Sequence, residues 1–117
     1  GAFVFINNAS GASNQIVFQY RSGGTTIASI SGSDFTSGDV GNTYKIAIAY
    51  KNNDFVLYIN GVQIGTDTSG TLSGTLSRLD LGSIGYTGLS TIDRQTANQA
   101  LVFPTRLTNA ELAALTA

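Results

Sequence analysis

The pair Asn60-Gly61 constrains the fold more than any other feature of the sequence. Asparagine followed by glycine is the preferred centre of a two-residue type I′ turn, because both central residues need positive φ. The pair lies between two segments of strand length, FVLYI at 55–59 and VQIGT at 62–66. The sequence therefore predicts an antiparallel hairpin over these segments, in which Gly61 has positive φ.

Other apolar or alternating segments predict strands through most of the chain. They are AFVFI (2–6), QIVFQY (15–20), TTIASI (25–30), TYKIAIAY (43–50), RLDLGSI (78–84) and ALVF (100–103). Gly23-Gly24 predicts a turn that makes a second hairpin of residues 15–30. Residues 34–42 are predicted to be a loop. Residues 46–50 and 55–59 carry apolar side chains on both faces, which predicts that both strands are central.

The C-terminal sequence RLTNAELAAL predicts the one helix. Thr108 is a favourable N-cap, and Glu111 three residues later completes a capping box. We expect a short helix over 109–115 that docks through Leu112 and Leu115. Many short strands with glycine turns and one terminal helix predict an all-β antiparallel sandwich.

Composition excludes several classes of function. The 117 residues suit one domain, 1–117, and include no cysteine or histidine. Six Lys and Arg against seven Asp and Glu give a net charge of −1, without the basic patch that nucleic-acid binding needs. No apolar run approaches the roughly 20 residues that span a bilayer, so we expect no membrane insertion.

The segment YKIAIAYKNNDFVLYINGVQIGTDTSGTLSGTLSRLDLG resembles the second half of a concanavalin A-like, or laminin-G-like, jelly roll. The ending ALVFPTRLTNAELAALTA resembles the version of this domain at the C-termini of tailed-phage tail fibre proteins. The resemblance covers residues 43–84 and 99–117. Two features depart from the family pattern: residues 85–99 form a longer insertion, and little strand-forming sequence precedes QIVFQY.

The resemblance implies a jelly-roll sandwich that is the C-terminal part of a longer fibre chain. It also implies a location on the virion tail or otherwise outside the cell, and a homotrimer, since fibre tips are typically trimeric. A sheet edge left incomplete within one chain would be an aggregation hazard, so a neighbouring chain is expected to cover it. Phe3, Phe5 and Ile6 are the predicted contacts.

Carboxylates give no sign of catalysis. Glycoside hydrolysis needs two carboxyl groups about 5–10 Å apart. The one glutamate is Glu111, which the capping box explains, and Asp80 alternates with Leu79 and Leu81. Without histidine or cysteine, acyl transfer lacks its usual base and thiol. We therefore expect that the protein is not an enzyme.

Asp34 and Asp39 are weak candidates for a calcium site, because related jelly rolls hold calcium in loops at the rim. The preferred interpretation is that Asp and Asn are present there to cap turns. No EF-hand spacing supports the metal site, and no cofactor is expected.

The best candidate for ligand binding is the atypical insertion, which contains Tyr86, Asp93, Arg94 and Asn98. Sugars are bound by aromatic faces and planar polar groups, and loops on a rigid scaffold often carry function. Tyr44, Tyr50 and Tyr58 lie in predicted strands and are expected to pack in the core. An ordinary solvated loop or a subunit contact is the preferred interpretation of the insertion, with a ligand site as the alternative.

The leading hypothesis is a non-enzymatic receptor-binding tip domain of a tail fibre, which recognises host-surface glycan or caps the fibre. The alternatives are a carbohydrate-binding module of a secreted bacterial protein and a purely structural virion protein.

Overall fold

The computed structural model describes residues 1–7, 14–35, 41–75 and 97–117. The chain forms two compact units, one of residues 1–74 with 105–117 and one of residues 75–104. All the described strands and the helix belong to the first unit. The described residues of the second have no regular secondary structure. The single jelly-roll domain over 1–117 stays a prediction.

Six strands and one helix follow each other along the described part of the first unit. They are β1 (Ala2–Asn7), β2 (Asn14–Ser22), β3 (Thr25–Phe35), β4 (Ile46–Lys51), β5 (Asp54–Ile59), β6 (Val62–Asp67) and α1 (Asn109–Thr116). They form two antiparallel three-stranded sheets, β1-β2-β3 and β4-β5-β6. The all-β sandwich with a C-terminal helix is therefore confirmed, and it is consistent with a jelly roll.

Both predicted glycine turns have the expected backbone. Asn60 and Gly61 have φ of 49° and 82°, and Gly23 and Gly24 have φ of 56° and 81°. Positive φ at both central residues defines the type I′ turn, whose twist matches that of the strands. The hairpins β2–β3 and β5–β6 are therefore specified by local sequence.

Some strand boundaries were predicted wrongly. β3 continues to Phe35, into the predicted loop, because β2 begins at Asn14 and offers partners to Asp34 and Phe35. ALVF at 100–103 is not a strand. The strand was predicted because its apolar residues favour β structure. The predicted strand 78–84 lies outside the described residues.

The inner faces of the two sheets pack on each other to form the first core. It contains Phe18, Tyr20, Ala28, Ile30, Phe55 and Leu57. Four aromatic rings, those of Phe18, Tyr20, Tyr50 and Phe55, lie with their centroids 5.6–6.4 Å apart in tilted pairs. The packing role predicted for Tyr50 is confirmed.

The outer face of the second sheet forms a second core under α1. It contains Ala47, Ala49, Val56, Tyr58 and Leu112, with Leu107 packed beside them. β5 is the middle strand and is buried on both faces, as predicted. β4 has a strand partner on one side only among the described strands. Its outer face is apolar because a helix covers it.

The helix has the predicted capping box and one more residue than predicted, Asn109–Thr116. Leu112 is 2% exposed, whereas Leu115 is 41% exposed, so the predicted docking through Leu115 is wrong. Residues four apart lie one above the other on a helix, and Thr116 therefore takes the inward position after Leu112. Leu115 is turned toward solvent.

Replacing each leucine of α1 by alanine distinguishes the stabilisation that comes from docking from the effect of helix propensity. We expect Leu112→Ala to lower the free energy of unfolding by about 2–4 kcal/mol, because it leaves a cavity in the second core. Leu115→Ala is the matched control and should change it by less than about 0.5 kcal/mol. Urea denaturation measures both. Equal effects would show that the helix is not docked through Leu112.

The β4–β5 turn holds the segment that follows β6. The Asn53 N–H donates to the Gly70 carbonyl at 2.8 Å, and the Gly70 N–H donates to Asn53 Oδ1 at 3.1 Å. The Leu72 N–H donates to Asn52 Oδ1 at 2.8 Å. Gly70 has φ of 130°, and a Cβ there would lie 2.7 Å from Ile27 Cγ2. The position therefore requires glycine both for backbone conformation and for space.

A comparison of Gly70→Ala with Gly74→Ala tests this requirement. Gly74 also has positive φ, but nothing lies within 4 Å of a Cβ built there. We expect Gly74→Ala to cost about 1–2 kcal/mol of unfolding free energy from backbone strain. Gly70→Ala should cost about 1–3 kcal/mol more, because it overpacks against Ile27 and because φ of 130° is less accessible to alanine than φ of 76°. Thermal denaturation checks the difference, and similar melting temperatures would contradict it.

Candidate functional site

Of the four residues predicted to bind ligand, one is among the described residues. Tyr86, Asp93 and Arg94 lie outside the described residues. Asn98 is described, and it lies in a segment without regular secondary structure, residues 97–104, in which every residue is exposed. We call this stretch the exposed segment.

The exposed segment combines the two chemical features that sugar binding uses. Leu101, Val102 and Phe103 are 55%, 73% and 45% exposed. Asn98 and Gln99 bring two exposed carboxamides within a few residues of them. Consecutive apolar side chains in solvent are unusual on a soluble domain and commonly mark an interaction site. The sequence predicted a strand at 100–103 and did not single out Phe103, so sequence reasoning missed its exposure.

The predicted oligomer contacts lie in β1, which pairs with β2 of its own chain along its full length. The side chains of Phe3, Phe5 and Ile6 are outside the described set. Among the described strands, β1 lies at the edge of its sheet.

Val4 and Ile46, on strands that lie at sheet edges among those described, are incompletely covered. Val4 lies opposite Phe18, a residue of the first core, and so shares its face. Ile46 lies opposite Ile59, which packs against the same core. Both Val4 and Ile46 are nevertheless 40% exposed. Core-facing positions on two strands are therefore open to solvent.

A polar network fastens the start of α1 to the second sheet. Arg106 donates from Nη2 to Asp54 Oδ1 at 2.8 Å and to Asn109 Oδ1 at 3.0 Å, and from Nη1 to the Leu107 carbonyl at 2.6 Å. Tyr58 Oη donates to Gln63 Oε1 at 2.9 Å, which confirms that this tyrosine is structural. The guanidinium therefore ties the helix start to the first residue of β5.

The end of α1 is fastened to the Asn60-Gly61 turn. The Gly61 N–H donates to Thr116 Oγ1 at 3.0 Å, and Thr116 Oγ1 donates to the Leu112 carbonyl at 2.8 Å. Lys45 Nζ donates to the Ala117 carbonyl. Because Asp54 begins β5 and Gly61 lies in the turn that follows it, the helix is attached at both ends of the strand that it covers.

The shifted titratable groups have structural causes. Hydrogen bonds from the Thr108 N–H and hydroxyl lower the pKa of Glu111, as the capping box requires. Hydrogen bonds from the Ser69 N–H and hydroxyl lower the pKa of Asp67. Burial, with a smaller effect of Tyr20, raises the pKa of Tyr50. Each shift belongs to a cap, a turn or the core.

Of the two weak metal candidates, Asp34 lies in β3, where it pairs with Gln15 of β2. Asp39 lies outside the described residues. Within residues 1–7, 14–35, 41–75 and 97–117, no three acidic side chains cluster in a way that could hold an ion. In the same ranges, no helix has the length and apolar character needed to cross a bilayer.

The fold defines the chain as an antiparallel β-sandwich protein, and comparison with solved structures agrees. An S-layer domain-containing protein from Clostridium thermocellum ATCC 27405 superposes with a TM-score of 0.58 at 19% identity. The match covers 97% of this chain and 60% of the other, so the chain spans well under two thirds of that structure. At this identity the likeness shows a shared fold.

No family model matches the sequence. No curated protein matches it either.

Proposed function

We propose that this chain is a non-enzymatic module of a surface-exposed or extracellular protein, and that it binds carbohydrate through the exposed segment. The observation that carries the proposal is the exposure of Phe103 close in sequence to the carboxamides of Asn98 and Gln99. An aromatic face can cover the C–H surface of a sugar ring, and carboxamides can bond its hydroxyls. Tyr86, Asp93 and Arg94, the other predicted ligand residues, belong to the same insertion as Asn98 and lie before it in the sequence.

The location outside the cell is supported by the structural likeness to an S-layer domain-containing protein, whose name denotes a cell-surface domain. This likeness favours a module of a secreted or surface protein, the alternative that the sequence left open. Absence of cysteine and a surface built from Ser, Thr, Asn and Gly are compatible with either a secreted module or a fibre domain.

The non-enzymatic character is supported by the roles of the carboxylates whose contacts are described. Asp54 pairs with Arg106 at 2.8 Å and with Lys51 at 3.5 Å, Asp67 caps a turn, and Glu111 caps the helix. A general acid needs a raised pKa, whereas the pKa values of Asp67 and Glu111 are lowered. These groups stabilise the scaffold.

A glycan array on the intact chain, followed by titration of the best ligand, tests the proposal. We expect Phe103→Ala to weaken binding by about five- to thirtyfold, the loss typical of a contact worth about 1–2 kcal/mol. Val62→Ala, which alters an exposed apolar residue outside the segment, should bind like the unmodified chain. No glycan binding, or equal affinity of both variants, would contradict the proposal. Release of reducing ends from the bound glycan would contradict the non-enzymatic part.

A second candidate function is supported by the half-covered positions Val4 and Ile46. It is a homo-oligomeric tip of a tailed-phage fibre, with a trimer as the expected state and the virion tail as the location. Apolar side chains that face the core but remain exposed would be covered if a neighbouring chain packed against these strands. The contacts proposed in β1 are Phe3, Phe5 and Ile6. The capping-box helix also fits the fibre-like C-terminal sequence.

Light scattering at micromolar concentration distinguishes the oligomeric fibre tip from a monomeric module. We expect a trimer, and we expect Ile46→Lys to shift it toward monomer, since a charge at a subunit contact is costly to desolvate. Leu115→Lys, at an exposed helix position, is the control and should leave the mass unchanged. A monomeric unmodified chain would overturn this candidate while leaving the carbohydrate-binding proposal intact.

A further inference from the structure

We propose that Asn60 is a site of covalent modification by deamidation, and that docking of α1 controls the rate. An asparagine followed by glycine is chemically predisposed to this reaction, because glycine has no side chain to hinder it. The Gly61 nitrogen loses its proton to hydroxide and forms a bond to Asn60 Cγ. The Cγ–Nδ2 bond breaks and ammonia leaves, which gives a cyclic imide. Water then opens the imide to aspartate or isoaspartate.

The structure holds both reacting groups away from this reaction. The Gly61 N–H donates to Thr116 Oγ1 at 3.0 Å, so the proton that must leave is held by a hydroxyl. Asn60 Oδ1 accepts from the Lys45 N–H at 2.9 Å, which fixes the carboxamide toward β4. The Asn60 N–H also donates to the Lys45 carbonyl at 2.9 Å. Attack by the Gly61 nitrogen on Asn60 Cγ requires both groups to be released.

Thr116 is well suited to protect the glycine nitrogen. Its side chain is 2% exposed, and its own hydroxyl proton is donated to the Leu112 carbonyl. The hydroxyl oxygen is therefore oriented to accept from Gly61. Ala117 is also close, since a Cβ at Gly61 would lie 3.4 Å from Ala117 Cα. Release of the Gly61 N–H from Thr116 therefore requires movement of the end of the helix.

The consequence is that opening of α1 exposes a reactive turn. Isoaspartate adds a methylene to the backbone, and a two-residue type I′ turn has no place for it. The product would misalign β5 and β6 at the position where Thr116 binds. Modification at Asn60 would therefore remove the attachment of the helix end to the turn and weaken docking of α1.

The test is the deamidation rate of Asn60 in the intact chain at mildly alkaline pH, followed by peptide mass spectrometry. We expect Thr116→Val to react about 2- to 12-fold faster than the unmodified chain, the range that corresponds to loss of one hydrogen bond. Thr116→Ser keeps the hydroxyl and should react at the unmodified rate. Equal rates for the valine and serine variants would overturn the proposal.

A second measurement needs no substitution. The unmodified chain should deamidate faster in denaturing urea than in buffer, because the protecting contacts are lost on unfolding. In buffer, amide hydrogen exchange at Gly61 should track exchange in α1, since both require the helix to open. The same rate in urea and in buffer would show that the fold does not protect Asn60, and would also overturn the proposal.

Discussion

Burial of β5 on both faces is the constraint on which the rest of the structure depends. Phe55, Val56 and Leu57 are fully buried, although alternate residues of a strand point to opposite sides. One side needs the first sheet, and the other needs α1. A strand with a single apolar face would need only one covering layer. Because β5 needs a covering layer on each side, α1 packs on the face of the second sheet that the first sheet does not cover.

The helix covers the outer face of β5 with few of its own side chains. One large side chain, Leu112, enters the second core, and the facing residues of β4 are the small Ala47 and Ala49. Small residues allow the helix to approach the sheet closely. Polar contacts at both ends then fix its position, through Arg106 at one end and Thr116 at the other. Docking of α1 thus depends on Leu112 as its fully buried apolar contact and on polar attachments at both ends.

Local features of the structure could be predicted from the sequence, because the residues that determine them are neighbours. The Asn60-Gly61 turn and the Thr108–Glu111 capping box each need only a few consecutive residues, and both were predicted correctly. Leu115 was assigned to the interior on hydrophobicity, but its exposure depends on which helix face meets the sheet.

The prediction of a strand at 100–103 was wrong for a related reason. Its residues favour a strand, yet a strand exists only where a partner backbone pairs with it, and pairing is not encoded locally. Only part of the candidate site could therefore be predicted from the sequence. Asn98 was proposed from its residue type, whereas Phe103 became a candidate once its exposure was known. Arg106 was not singled out either, because its partner Asp54 is distant in sequence.

The way in which the scaffold satisfies its polar groups indicates where a ligand could bind. A recognition site needs donors, acceptors and apolar surface that are still available to a partner. Around α1 the polar side chains already bond to one another: Arg106 to Asp54, Tyr58 to Gln63, and Glu111 to Thr108. A ligand there would have to break these bonds, and each loss would weaken the covering of β5. The exposed segment belongs to no strand or helix, so Phe103 can contact a ligand without loss of a bond that stabilises the sheets. Stability and the proposed recognition therefore fall to different parts of the chain.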